Sequence, residues 1–308
     1  MKLISVAVLI GAILPATSAM AAETAGFAFL DVPVGARAVA MGGAFTGMTG
    51  DPNALYWNPA ALASVSVSTI TSSYTSYLMD MQAGFVGWVG PRSSDVIGVS
   101  ANYFYGGSFV RTTMSEPQGT GEEFSSSSIA LSASYARSLT PCLSAGVTGR
   151  FVYSSIDTYS GSGAVLDLGA IYSPPGLEGA AIGLAVRNAG IQTKAFYEEK
   201  DPMPTEVAAG ASYRFLGNRL VLAADLTYPF HGDFNAAVGT EYTPLDLLSV
   251  RLGTSMSDMD AADAAGGGFV DGMSFGMGTR WHTLALDYAF RPFADLGSIH
   301  RISLNVSL

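Results

Sequence analysis

Cysteine is almost missing from this chain: Cys142 is the only one in 308 residues. A lone thiol cannot close an internal disulfide, so stability has to come from elsewhere, and Cys142 reads as a small apolar filler at a strand start. Charge is scarce as well. Asp, Glu, Lys and Arg make up 13% of the residues, about half the usual share. What charge there is leans acidic, with 25 Asp and Glu against 15 Lys and Arg. No basic patch exists to offset phosphates, which excludes a nucleic-acid partner. Long apolar runs are missing after the first residues: nothing beyond them is long and apolar enough for a membrane helix.

The chain is nonetheless 49% hydrophobic. Its start explains the compartment. Lys2 precedes an apolar run, Leu3 to Leu14, then Pro15 and "ATSAMA". Ala19 and Ala21 take the −3 and −1 places of a signal-peptidase site, so residues 1–21 read as a cleaved secretory signal. An exported, apolar chain without spanning helices must pair every backbone group internally if it enters lipid. A closed β-barrel does this.

The periodicity agrees. Ile302, Leu304, Val306 and Leu308 alternate with Arg301, Ser303, Asn305 and Ser307. Leu284, Leu286, Tyr288 and Phe290 alternate with Ala285, Asp287, Ala289 and Arg291. One face is therefore apolar and the other small or polar. About fourteen such segments follow one another, most of them near the roughly 9–11 residues of a tilted spanning strand. Connections alternate in length. Gly90–Asp95, Arg137–Cys142, Pro174–Gly179, Leu216–Asn218, Thr243–Leu247 and Trp281–His282 are short. Gly106–Glu122, Asp157–Gly163, Asn188–Pro204 and Met256–Phe269 are expected to be long loops on the opposite, outward side. The fold expectation is all-β: a transmembrane antiparallel β-barrel of about fourteen strands over residues 64–308, preceded by residues 22–63. Aromatics near strand ends, among them Tyr135, Tyr153, Tyr228 and Tyr288, would form interfacial girdles. The inward face carries Arg150, Asp167, Arg214, Asp225, Glu241, Arg251, Arg280 and Asp287, charges of both signs that can pair across a lumen.

No catalytic chemistry is legible, and the chain reads as a non-enzyme. "GMSFG" (Gly272 to Gly276) matches a nucleophile pattern but lies in a strand, not on a strand-to-helix elbow. His231, His282 and His300 lack metal-ligand spacing, and Asp258, Asp260 and Asp263 lack the spacing of a calcium loop. No cofactor fingerprint is present.

The residues before the barrel differ from the rest. "GDPN" is a turn or helix start, with Asp51 as N-cap, Pro52 at the first helical position and Asn53 beside it. Gly42, Gly43, Gly47 and Gly50 permit tight turns and close approach. Tyr56 and Trp57 supply apolar bulk, and Asn58-Pro59 ends the helical run. The stretches "VPVGARAVAMGGAFTG" and "DPNALYWNPAALA" resemble the N-terminal signature of the PorV/PorQ family, which belongs with the FadL-like outer-membrane barrels. The resemblance implies a fourteen-stranded barrel in the outer membrane of a diderm bacterium, with residues 22–63 entering the lumen as a hatch. It implies outer-membrane lipid as surroundings and two functions from different classes. The first is a non-enzymatic partner in protein secretion or surface export of type IX kind, meeting secretion-system components or exported cargo. The alternative is a FadL-like transporter of a hydrophobic small-molecule ligand.

Overall fold

The computed structural model describes residues 25–293 and 297–308; the expected signal peptide lies outside the described residues. Fourteen strands follow in chain order: β1 Thr69–Ser76, β2 Gln82–Arg92, β3 Asp95–Val110, β4 Glu123–Thr140, β5 Leu143–Ile156, β6 Tyr159–Tyr172, β7 Ala180–Lys194, β8 Glu206–Phe215, β9 Leu220–Pro229, β10 Asn235–Leu245, β11 Leu248–Ser255, β12 Met273–Trp281, β13 Leu284–Pro292 and β14 Ser298–Ser307. Each pairs antiparallel with its sequence neighbours. β1 pairs with β14, from Thr69↔Ser307 to Ser76↔His300, so the sheet closes and has no free edge.

The alternation seen in the sequence decides which face is which. Leu222, Leu226, Val238, Leu252, Leu286, Ile302 and Leu304 are all exposed on the outside of the wall. Around a whole protein, that much exposed apolar surface cannot be solvated and is expected only against lipid. Tyr135, Tyr153, Tyr228 and Tyr242 stand on the same outer face near strand ends. The inner face carries the small and polar partners, among them Thr71, Ser134, Thr148, Ser212 and Ser303, all buried.

Connections at one end are residues 93–94, 141–142, 173–179, 216–219, 246–247 and 282–283. The opposite end carries longer ones at 111–122, 195–205 and 256–272, but also short ones at 157–158 and 230–234. Two expectations need correction here. Asp157–Gly163 is not a loop: Ile156 pairs with Tyr159, leaving a two-residue turn in which Asp157 takes φ 55°. Asp tolerates that left-handed conformation. The following "YSGSG" looks like loop composition because Gly161 lies under Phe196 and Gly163 under Met203, where larger side chains would collide. Met256–Phe269 is not irregular either. Met256–Ala264 forms a helix, and Ser255 caps it by accepting from the Asp258 N–H at 3.2 Å. The acidic run Ser257–Asp263 therefore lies on a helix.

The hydrophobic core is not in the wall but between the wall and residues 26–65. This segment begins at the long-loop end, where the Gly26 N–H donates to the Pro202 carbonyl at 2.9 Å, and it leaves at the short-turn end into β1. Inside the barrel it makes two short helices, α1 (Ala36–Ala40) and α2 (Ala54–Trp57), and a 3-10 stretch, Pro59–Ser64. Met41, Phe45, Met48, Leu55 and Leu62 are fully buried in it. The wall admits it by lacking side chains. Gly146 and Gly169 face each other across β5 and β6 beneath Pro59 and Asn58; Gly183 and Gly210 do the same across β7 and β8 beneath Thr46 and Gly47; Gly239 and Gly253 do so across β10 and β11 beneath Met41. Glycine inside a strand weakens it and marks close approach of another backbone. Three facing pairs form a track for the inner segment.

Candidate functional site

The interior is layered along the barrel axis. At the long-loop end the inner segment makes a turn of 3-10 helix, Ala28–Asp31. Phe27, Phe29 and Leu30 fill an apolar pocket formed by Ala130, Val152, Val165 and Met203, with Phe104 and Phe196 against it. Phe27 holds φ 55°, uncommon for a bulky residue, and its ring lies 5.6 Å from that of Phe196.

Below lies a polar layer. Arg150 is ion-paired with Asp167 and also donates from Nη1 to Asn188 Oδ1 at 3.1 Å. Asn188 N–H donates to Asp167 at 2.8 Å, and Asn188 Nδ2 donates to Asp31 Oδ1 at 3.3 Å. Arg187 Nε donates to Glu206 at 2.6 Å, and its guanidinium stands 5.4 Å from the centre of the Trp57 ring. Arg187 and Asn188 both reach the lumen because β7 bulges there: the register slips between Leu166 and Leu168, with Asn188 at φ 57°. Burial, then the neighbouring Glu206 charge, push the Asp31 carboxyl up to about 7. Burial, and then the charge of Asp31, hold the Tyr56 phenol above its ordinary range; its O–H donates to the Leu30 carbonyl at 2.8 Å.

The third layer ties the inner segment to the wall. Asp225 accepts from the Phe45 N–H at 2.9 Å and the Thr46 N–H at 2.7 Å. Asn58 Nδ2 donates to the Thr46 carbonyl at 2.8 Å, and its Oδ1 accepts from the Ala60 N–H at 3.1 Å. Arg214 donates to the Thr49 carbonyl at 2.8 Å. Arg37 grips Glu241 through Nε and Nη2 at 2.8 and 2.7 Å, and Asp51 through Nη1 at 3.0 Å. Arg251 then joins Glu241 (2.5 Å) to Asp287 (2.7 Å). A two-pronged guanidinium–carboxylate contact in a low-dielectric lumen is strong and directional.

Asp225 offers a clean test of this layer. In Asp225→Ala the Phe45 and Thr46 amides lose their acceptor while buried, at about 1–3 kcal/mol each. Asp225→Asn keeps an acceptor oxygen in place. Hydrogen exchange at these two amides should speed up strongly in the alanine variant and little in the asparagine variant. Equal exchange in both would show that the carboxylate does not hold the segment.

The fourth layer is a cavity of about 580 Å³ at the short-turn end. Arg37, Asp51, Arg214, Glu241, Arg251 and Arg280 line it, with His282 at its mouth. The lumen charges read from the sequence thus fall in different layers: Arg150 and Asp167 in the second, Asp225 in the third, and Arg214, Glu241, Arg251, Arg280 and Asp287 around the cavity.

In the N-terminal motif, Gly42 takes φ 67° with its Cα against the Thr254 backbone, and Gly43 packs beside Trp57. Asp51 does not cap a helix. Its Oδ1 accepts from the Asn53 N–H at 2.8 Å across a turn through Pro52, and α2 starts only at Ala54. The carboxylate is drawn to the nearer turn amide and to Arg37, so α2 has no side-chain cap. Asn58 ends α2 as expected and also caps the 3-10 stretch that begins at Pro59. Three charged residues missed in the sequence matter as much: Arg37, Arg187 and Glu206. The glycine track was missed too, although glycine inside apolar, strand-like runs such as "AAIGLAV" was a usable signal.

No protein-family model and no curated protein matches the chain. Solved structures do. The chain is similar to the CymD monoaromatic hydrocarbon channel at 14% identity and TM-score 0.64, covering 90% of this chain and 98% of that one. It is similar to the Ralstonia pickettii toluene transporter TbuX at 13% identity and TM-score 0.62, covering 89% and 98%. A Pseudomonas aeruginosa FadL homologue matches at 15% identity and TM-score 0.51, covering 86% and 96%. At such identities the likeness is one of architecture: the chain has the closed fourteen-strand fold of FadL-type outer-membrane barrels.

Proposed function

We propose that this protein is an outer-membrane channel for a small hydrophobic molecule, with residues 26–65 as the hatch that closes its lumen. The observation that carries the reading is the apolar pocket at the long-loop end. At that end of the lumen, beyond the ion-paired layer, Phe27, Phe29 and Leu30 pack against aromatic and aliphatic side chains of the wall and of the 195–205 connection. Withdrawal of Phe27, Phe29 and Leu30 would leave an apolar surface able to hold an apolar ligand by burying it. The named functions of CymD and TbuX point the same way. This reverses the order expected from the sequence, where the secretion-partner reading came first. That reading is supported by the N-terminal motif alone, and the lumen pocket gives it no role.

Uptake separates the two. Cells carrying the protein should accumulate radiolabelled toluene, or a larger apolar probe, faster than cells without it. Trp57→Ala, which removes the ring under Arg187, should change that rate without changing barrel yield. A protein that only receives exported cargo would leave uptake at the level of the empty host in both cases.

A further inference from the structure

The polar layer under the apolar cluster is short of positive charge. Among the described residues it brings three carboxylates, Asp31, Asp167 and Glu206, to two guanidiniums, Arg150 and Arg187. Arg150 is engaged by Asp167 and Arg187 by Glu206. Asp31 is the remaining carboxylate, and the group that meets it is neutral: Asn188 Nδ2 donates to its Oδ1 at 3.3 Å, long for such a bond. Asp167 and Glu206 belong to wall strands, whereas Asp31 belongs to the inner segment.

Few ties hold that part of the segment down. From Gly26 to Asp31, two hydrogen bonds reach beyond the segment among the described residues. The Gly26 N–H donates to the Pro202 carbonyl at 2.9 Å, and Asn188 donates to Asp31. The rest is apolar packing of Phe27, Phe29 and Leu30, with Phe27 in the strained conformation at φ 55°. The charged and titratable groups around Asp31 are Arg150 on β5, Asp167 on β6, Arg187 on β7, Glu206 on β8 and Tyr56 on α2. Asp201 of the 195–205 connection lies beside Gly26, at the other end of the turn.

We propose that Asp31 is a proton-operated latch: protonated, it lets residues 27–31 dock against the wall, and ionised, it drives them off. An ionised Asp31 stands against the Glu206 charge with only an amide to receive it. Docked, the carboxyl is pushed up to about 7, by burial and then by Glu206; released into water, it returns to an ordinary value of about 4. Docking therefore takes up a proton. Docking is strongest below about pH 4, where both states are protonated. It weakens by up to about tenfold per pH unit between about 4 and 7, and stays weak above that, where both states are ionised. Although the barrel encloses it, Asp31 keeps an open face toward the lumen space, so protons reach it without unfolding. The latch belongs to the inner segment and holds whether or not a solute crosses the barrel.

Hydrogen exchange of the full chain in detergent tests it, read as protection factors so that the intrinsic pH dependence of exchange cancels. The reporters are the Leu30 N–H, which donates to the Phe27 carbonyl at 2.9 Å, and the Val32 N–H, which donates to the Phe29 carbonyl at 3.2 Å. Their protection should fall several-fold, and by up to about tenfold, per pH unit from pH 5 to 7, then level off by pH 8. Asp31→Asn keeps an oxygen for Asn188 and stays neutral, so protection should hold its pH 5 level throughout. Asp31→Ala loses the tie to Asn188 as well; its protection should be lower and equally flat. Amides of the β7–β8 ladder should show no slope in any of the three proteins. Wild-type protection at Leu30 that is flat from pH 5 to 8, a slope that persists in Asp31→Asn, or a parallel slope in the ladder would overturn the proposal.

Discussion

Arginine in place of Leu222 or Leu286 should stop the barrel from assembling. Both leucines lie on the outer face, each the third residue of its strand, 44% and 46% exposed. An arginine on a lipid-facing strand costs roughly 2–4 kcal/mol at the bilayer midplane and less towards the interfaces. That is a large part of a typical folding free energy of about 5–15 kcal/mol. The same strands tolerate polarity one residue away, because the side chain then faces the lumen. Asp287→Asn keeps the oxygen that Arg251 Nη1 meets at 2.7 Å, and Glu241 still pairs with Arg251, so this variant should assemble. Heat-modifiable gel mobility reads out the folded fraction. Equal tolerance at Leu286 and Asp287 would contradict the assignment of faces.

The second large effect belongs to the glycine track. Gly183→Val should expel the inner segment while leaving the wall closed. A Cβ at Gly183 would collide with the Thr46 carbonyl and lie 3.0 Å from Gly47 Cα. Both obstacles are backbone of the inner segment, so neither can turn aside as a side-chain tip could. The segment is held there by Asp225, Asn58 and Ser212, whose Oγ donates to the Gly47 carbonyl at 2.8 Å. Losing that docking forfeits several buried hydrogen bonds together, at about 1 kcal/mol net each. The β7–β8 ladder, from Ala180↔Tyr213 to Arg187↔Glu206, does not involve the inner segment. Valine also suits a strand better than glycine does. The variant should therefore remain heat-modifiable but expose residues 26–65 to protease from the short-turn end.

The wall was legible because its signal is local. Alternation in Leu284–Phe290 or Ile302–Leu308 is written in adjacent residues, and a period of two has one structural meaning. The interior was less legible because its signals are not local. Gly183 serves Thr46, which is far away in the chain, and nothing in "AIGLA" says so. Arg187 and Asn188 both face inward only because β7 bulges opposite Asp167, which breaks the alternation used to assign faces. Arg37 sits in an alanine-rich stretch, and its partner Glu241 is fixed by barrel closure rather than by spacing.

The central claim is that an independent wall surrounds a removable hatch. Planar-bilayer conductance of a chain lacking Gly26–Ser64 tests it most directly. The hydrogen-bonded wall runs from Thr69 to Ser307 and closes through β1 and β14 without the deleted residues. The account predicts an assembled, heat-modifiable barrel with single-channel conductance many times that of the intact protein, in which Arg37 no longer bridges Asp51 and Glu241 across the lumen. An assembled deletion barrel that conducts no better than the intact protein would contradict it.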